Sequence, residues 1–372
     1  PSIPTGLPEK GNKRKAEQKL NEVRCSYQIP QEAELSADML FSDYLTEWLD
    51  IVKVRIKPAT HASYSSIVNS ILPYFKQKKM TLRGLEPRHL QSFYTEKLKV
   101  VKPNTVIHYH AVIHQALKYA VKTEMILSNM AEKVDRPKKN DFSPSFYDAN
   151  EMVALFEALR GHKLELPVLV GAFYGMRRSE VLGLRWDAID FERDTLTIKH
   201  TVTSFRIDGK KVQYAQDSAK TKSSMRTLPL VGKFREYFLQ VKQAQAFNKK
   251  VCGRAYSKQY DGYVFVDEMG ELMKPSYLTE EFPRLLQKHG LRRIRFHDLR
   301  HSCASLLLAN GVPMKQIQDW LGHSDFSTTA NIYAHLDYSS KISSAQAMER
   351  GIALPDSPGF GSKWAALEGE SG

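Results

Sequence analysis

The chain reads His297-Asp-Leu-Arg300-His301, then Leu321-Gly-His323, and finally Thr328-Thr-Ala-Asn-Ile-Tyr333. An arginine can hold a phosphate through two parallel N–H bonds. A histidine exchanges protons near neutral pH, and a tyrosine can carry a covalent intermediate. In this order the three residue types predict a site in which a tyrosine attacks a phosphodiester.

Two upstream segments extend the set. Arg177 lies in the segment Tyr-Gly-Met-Arg-Arg-Ser-Glu that ends at Glu180, directly after the apolar run 166–173. We interpret Arg177 as a phosphate clamp steadied by Glu180, with Arg178 as a solvated neighbour. The alternative is a surface ion pair worth at most ~1 kcal/mol. The second segment, Lys220-Thr-Lys222-Ser-Ser, is predicted to form a polar turn before a short strand.

The ordered set resembles the tyrosine recombinase (phage-type integrase) family over roughly residues 38–348. The motifs GMRRSE, KTKSS and HDLRH look like those of integrases from conjugative transposons and temperate phages. All six catalytic positions of the family carry the expected residue type. They are Arg177, Lys220, His297, Arg300, His323 and Tyr333.

The resemblance implies a role for each residue. Arg177 and Arg300 would grip the same phosphate, and His323 would add another donor to it. His297 would act as a base toward the phenol or hold the phosphate by a hydrogen bond. Tyr333 would be the nucleophile, leaving a 3′-phosphotyrosyl link and a free 5′-OH.

Some assignments have rivals close by in the sequence. Lys220 would protonate the leaving 5′ oxygen, but Lys222 is chemically equivalent. Tyr338 is the rival nucleophile and is expected instead to pack the C-terminal helix. Asp298 and His301 are expected to be helix-surface or packing residues.

The resemblance also implies partners. The substrate would be double-stranded DNA, at the ends of a mobile element and at its target site. Four protomers would act in a synapse, from a monomer or dimer in solution, with an excisionase and a host DNA-bending protein. Neither a metal nor ATP would be needed, because the phosphotyrosine conserves the energy of the cut bond.

Three alternatives stay open. A cellular chromosome-dimer recombinase would use the same chemistry. A relaxing topoisomerase would use the tyrosine without a partner site. A catalytically silent DNA-binding protein would retain the fold alone.

Composition agrees with a polyanionic partner. The net charge is +13, and residues 1–142 carry 23 Lys and Arg against 15 Asp and Glu, while residues 143–372 carry 31 against 26. Phosphate contacts from such a chain make affinity depend on salt. The three cysteines are widely separated and argue against a disulfide framework. No apolar run approaches the ~20 residues that span a bilayer, so we expect a protein of the bacterial cytosol.

Apolar residues at helical spacing predict four helices within residues 39–139, and the resemblance makes them a DNA-binding domain. Their DNA-facing residues would be Lys102, Asn104 and Thr105, unless these form only a capped helix start. The basic linker residues Lys138 and Lys139 would also contact DNA.

The fold class predicted is mainly α with a small antiparallel β-sheet, in which two domains clamp DNA like a C. A helix is predicted over Leu166–Met176 and a strand over Thr195–Val202. Related integrases often carry an N-terminal arm-binding domain, which is either absent from this family member or has been removed, and we expect the second. The predicted parts are a basic stub (1–37), a helical core-binding domain (38–138), a linker (139–147), a catalytic domain (148–348) and a tail (349–372).

Overall fold

The computed structural model describes residues 39–139, 145–207, 209–217 and 225–322. They form two compact units that divide near residue 143. Helices predominate and the strands are short and antiparallel where their register is defined, which confirms the predicted class of mainly α structure with a small antiparallel β component. No helix in these ranges is long and apolar enough to cross a membrane.

The first unit is a helical bundle around an aromatic core. Phe41, Phe75 and Phe93 are fully buried, and the ring of Phe75 lies 4.9 Å from that of Phe41 and 5.0 Å from that of Phe93. The Tyr44 hydroxyl donates to the Ala116 carbonyl at 2.6 Å, which ties the first helix to the last. The helices are α1 (Phe41–Lys53), α2 (Pro58–Lys78), α3 (Pro87–Leu98) and α4 (Pro103–Lys122).

The start of α4 differs from a side-chain-capped helix. Lys102 occupies the capping position and makes no capping hydrogen bond with its side chain. Pro103 takes the first helical position, where a missing N–H is tolerated because that group has no partner within the helix. Lys102 is exposed, whereas Asn104 and Thr105 are half-buried.

The second unit has a larger core. Its first helix begins with a capping box, in which Asp148 accepts from the Glu151 amide and Glu151 accepts from the Asp148 amide. The helices are α5 (Ala149–Ala158), α6 (Glu165–Phe173), α7 (Arg178–Leu182), α8 (Gly232–Cys252), α9 (Pro275–Lys288), α10 (Asp298–Ala309) and α11 (Met314–Leu321).

The strands of the described residues form two separate sheets rather than one. The strands β1 (Ile189–Asp190), β2 (Thr195–Ile198) and β5 (Arg226–Pro229) make an antiparallel sheet in the order β1-β2-β5. The strands β3 (His200–Ile207) and β4 (Lys210–Asp217) make the second.

The single strand predicted over Thr195–Val202 is therefore wrong. Buried and half-buried residues alternate without interruption through Lys199, so the period of two gave no sign of a break. The chain changes partner at Lys199, from β5 to β4. The choice of pairing strand depends on segments that are distant in sequence, and the local periodicity carries no information about them.

The helix predicted over Leu166–Met176 ends at Phe173 instead. Gly175 has a φ of +60°, which is unfavourable for residues with a side chain. A Cβ at Gly175 would lie 2.2 Å from Cδ2 of Leu321 and 3.3 Å from Sγ of Cys303. The glycine thus ends the helix and allows the backbone to pass directly against α11.

Replacing Gly175 with Ala should lower the free energy of unfolding by about 3 kcal/mol or more, because a strained φ and an overlap act together. Gly161 supplies the control, since its φ is +75° but nothing lies within 4 Å of an added Cβ. Gly161→Ala should cost only about 1 kcal/mol. Chemical denaturation measures both, and equal losses would contradict the close approach of Leu321.

Candidate active site

Arg177 and Glu180 form the first part of the site. Arg177 precedes α7, and Glu180 lies one turn later in that helix. The Glu180 carboxylate accepts from Nη1 of Arg177 at 2.6 Å and from the Arg177 amide at 3.0 Å. The Glu180 side chain is only 4% exposed, against 37% for Arg177. The predicted ion pair is present, but it is anchored in the interior rather than on the surface.

Arg226 is a second partner of Glu180 that sequence reasoning missed. Its Nη2 donates to Oε2 of Glu180 at 3.0 Å, and its Nε donates to the Trp320 carbonyl at 2.8 Å. The sequence contained a signal for this contact, because Arg226 alternates in step with Leu228 and Leu230, which face the buried side. A charged residue at an inward position of a strand indicates a buried charge pair.

Arg300 is the most deeply buried arginine of the site. It lies in α10, is 1% exposed, and donates from Nη1 to the Gly175 carbonyl at 2.6 Å. Burial, followed by the charges of Arg177 and Arg226, lowers the pKa of Arg300 to about 9 against the opposing effect of Glu180. The guanidinium therefore stays charged at neutral pH.

The electrostatics of the cluster favour an anion. Burial acts to raise the pKa of Glu180, but the guanidinium of Arg226 first, and then those of Arg177 and Arg300, hold it below its ordinary value. Three guanidinium groups thus surround one ionised carboxylate. The excess positive charge is suited to a phosphate with more than one oxygen to bind.

His297 lies at the start of α10, three residues before Arg300. Although part of it is open to solvent, desolvation by the surrounding protein, together with the charges of His301 and Arg300, lowers its pKa to about 4. The His301 ring stands edge-on to it with the ring centres 5.3 Å apart. His297 is therefore neutral near pH 7 and can accept a proton or a hydrogen bond.

Two neighbours of the motifs are more enclosed than their sequence suggested. Arg178 is half-buried and donates a hydrogen bond to the Thr279 hydroxyl, so it is partly solvated and partly enclosed by α9. Asp298 is 3% exposed and accepts from the guanidinium of Arg295 at 2.7 Å. It is a packing residue that fixes the start of α10, and His301 is half-buried beside it.

The structure brings Arg177, Glu180, Arg300 and His297 together through these contacts. The end of α11 joins them, because the Gly322 carbonyl accepts from Nη2 of Arg177 at 3.4 Å. Other predicted site residues lie outside the described ranges. They are Lys220, Lys222, His323, Tyr333 and the rival Tyr338.

The remaining DNA-binding candidates belong to the first unit. Lys102, Lys138 and Lys139 are exposed, and Asn104 and Thr105 are half-buried. Their role in DNA binding stays a prediction. Within the described ranges, no group of three or more His, Cys, Asp or Glu residues could hold a metal ion.

Comparison with known proteins decides the family. The model of the phage integrase family matches residues 145–340, and the N-terminal SAM-like domain of phage integrases matches residues 40–98. The chain belongs to the phage integrase family. It is a site-specific tyrosine recombinase, an enzyme that cuts and rejoins DNA.

The integrase has relatives of several kinds. A tyrosine recombinase XerC-like protein of Caldanaerobacter subterraneus is 27% identical over 89% of this chain and 87% of the relative. The prophage ps2 probable integrase of Lactococcus lactis is 26% identical over 82% of this chain and 81% of its own length. The integrase of Staphylococcus phage L54a is 25% identical over 80% and 89% of the two chains.

Solved structures share the fold. The Tn1549 transposon integrase in complex with a circular intermediate DNA aligns with a TM-score of 0.67 at 19% identity, covering 83% of this chain and 99% of the other. A lambda integrase tetramer bound to a Holliday junction aligns with a TM-score of 0.58 at 16% identity, covering 89% and 88%.

The lowered histidine pKa values predict how the stability of the integrase depends on pH. Burial also lowers the pKa of His110 to about 4 and that of His301 below its ordinary value. Below the ordinary histidine value of 6.5, the unfolded chain gains protons that these folded histidines do not take up. Stability should therefore fall as the pH drops from 6.5 toward about 4.

His297→Gln removes one of these groups and should make that decline shallower. Melting temperatures measured across the pH range test this, with the exposed His289→Gln variant as the matched control. A decline as steep in His297→Gln as in the wild type would contradict a lowered pKa at His297.

Proposed function

We propose that Tyr333 is the nucleophile of this integrase and that Arg177 and Arg300 bind the scissile phosphate. The phenol oxygen would form a bond to phosphorus while the bond from phosphorus to the 5′ oxygen breaks. A 3′-phosphotyrosyl link and a free 5′-OH result. The 5′-OH of a partner strand would then attack the phosphotyrosine, releasing Tyr333 and joining the strands.

The observation that carries the proposal is the meeting of Arg177 and Arg300 around one buried carboxylate. Arg300 is fixed by the Gly175 carbonyl, two residues before Arg177, so both guanidinium groups belong to one small region. Groups held in place before the reaction need no reorganisation when charge builds on the phosphate. Such electrostatic stabilisation can supply several kcal/mol, roughly 3 kcal/mol for a single donor.

Proton transfers would be divided among the remaining residues. A free phenol has a pKa near 10, so its attack needs a base or nearby positive charge. Neutral His297 is suited to accept the phenol proton or to bind the phosphate, and His323 would add a phosphate donor. Lys220 would give a proton to the departing 5′ oxygen. Lys222 is the alternative for that step.

We further propose how the integrase engages DNA. Lys102, Asn104, Thr105, Lys138 and Lys139 would contact the duplex near the cleavage site, together with Lys222. The first five belong to a core-binding domain (38–138) and a linker (139–147), and Lys222 belongs to the catalytic domain (148–348). The basic stub (1–37) and the tail (349–372) complete the division. Because the substrate is DNA, we expect the protein to act in the bacterial cytosol.

The assembly is proposed to be a tetramer formed from monomers or dimers on two DNA sites. The support is the lambda integrase, whose solved structure is a tetramer bound to a Holliday junction. An excisionase and a host DNA-bending protein would control direction. The element is proposed to be a conjugative transposon or prophage. Chromosome-dimer resolution is the second candidate, supported by the XerC-like relative.

The nucleophile can be tested with a suicide DNA substrate that carries the end of the element and a nick near the cleavage site. Wild-type protein should form a covalent band on a denaturing gel in the presence of EDTA. Tyr333→Phe should bind the DNA but form no band, because the attacking oxygen is missing. Tyr338→Phe is the matched control and should react.

Capture that persists in Tyr333→Phe and disappears in Tyr338→Phe would move the nucleophile to Tyr338. Salt-sensitive binding without any capture by the wild type would favour the silent DNA-binding protein.

A further inference from the structure

Arg226 is placed where it can influence the reaction without meeting the DNA. It is the first residue of β5 and pairs with Ile198 of β2. Its side chain is 6% exposed, compared with 37% for Arg177. Its Nη2 and Nε already donate to Glu180 and to the Trp320 carbonyl, so these two donors are engaged inside the domain.

The hydrogen bonds of Arg226 divide the Glu180 carboxylate between two arginines. Oε2 of Glu180 accepts from Nη2 of Arg226 and from the Arg177 backbone amide, and Oε1 accepts from Nη1 of the Arg177 side chain. Arg177 is thereby held through one terminal nitrogen. Among the described residues, its other terminal nitrogen makes a single long contact, 3.4 Å to the Gly322 carbonyl, which leaves it able to bind an anion.

Without Arg226, the geometry of the pair would change. A carboxylate and a guanidinium favour two parallel hydrogen bonds when both oxygens are accessible. Oε2 would then lose its competing side-chain donor, and Arg177 could rotate to engage both oxygens. The guanidinium group of Arg177 would then face Glu180 rather than the phosphate.

The second hydrogen bond of Arg226 fixes the end of α11. Its Nε donates to the Trp320 carbonyl, one residue before the helix ends at Leu321. Gly322 follows in the left-handed conformation and leads directly to His323. One side chain therefore ties the support of Arg177 to the helix end that precedes His323.

We propose that Arg226 is a positioning residue for strand cleavage, which keeps one end of the Arg177 guanidinium free for the scissile phosphate and holds the end of α11. This inference rests on the proposed function, since it assumes that Arg177 binds the phosphate. Arg226 acts through Glu180 and does not itself contact the DNA.

The variant Arg226→Lys tests the geometry while keeping the charge, because a single ammonium group cannot reproduce the fork that reaches both Glu180 and Trp320. Single-turnover cleavage of the suicide substrate at saturating DNA should slow by about 10- to 100-fold, as for a small misplacement of a catalytic group. The DNA dissociation constant should stay unchanged. Arg193→Lys, whose side chain is 85% exposed, is the matched control and should cleave normally.

A methylphosphonate at the cleavage site separates positioning from a loss of folding. It replaces a charged non-bridging oxygen with a neutral methyl group, so the reaction depends less on how the Arg177 guanidinium is oriented. Arg226→Lys should therefore be slower on the phosphate by a much larger factor than on the methylphosphonate. Equal losses on both substrates would overturn the proposal and leave Arg226 a structural role only.

A double-mutant cycle shows whether Arg226 acts through Glu180. Arg226→Met combined with Glu180→Gln removes both buried charges together, which avoids leaving one of them without its partner. The double variant should cleave about as slowly as Glu180→Gln alone. If the losses in cleavage rate of the two single variants multiply in the double variant, Arg226 does not act through Glu180 and the proposal is overturned. If the wild type forms no covalent complex with the DNA, the proposed function is rejected instead.

Discussion

The buried carboxylate of Glu180 is the constraint on which the rest of the site depends. An ionised carboxylate removed from water is strongly destabilising unless charged partners and hydrogen bonds replace the lost hydration. Arg177 and Arg226 supply those bonds, and Arg300 adds its charge. Three guanidinium groups lie close together here, and the Glu180 carboxylate offsets the positive charge of one of them. What remains is a positive region suited to a phosphate.

The same constraint links distant parts of the chain. Arg177 follows α6, Arg226 begins β5 and Arg300 lies in α10. At the end of α11, the Trp320 carbonyl accepts from Arg226 and the Gly322 carbonyl accepts from Arg177. Gly175 makes the convergence possible, since its backbone conformation and missing side chain let α11 approach and its carbonyl hold Arg300. The packing of the domain and the pairing of its charges thus require the same geometry.

The sequence predicted those features whose cause is local. The spacing from Arg177 to Glu180 is one helical turn, so their pairing followed from the motif alone. The four helices of the first unit, α1 to α4, followed from the spacing of apolar residues. Features that depend on distant segments did not follow, namely the burial of Glu180, the link from Arg226 to Trp320, and the change of partner at Lys199. Burial and pairing between segments far apart in sequence are properties of the packed domain.

A crystal structure of the Tyr333→Phe variant, bound to DNA that carries the end of its element, would show directly which residues hold the scissile phosphate. The non-bridging oxygens of one phosphate should lie within hydrogen-bonding distance of both Arg177 and Arg300. Arg226 should remain on Glu180 and Trp320, without touching the DNA. A phosphate held by other residues, with Arg177 still turned fully toward Glu180, would contradict the central claim that this buried cluster binds the scissile phosphate.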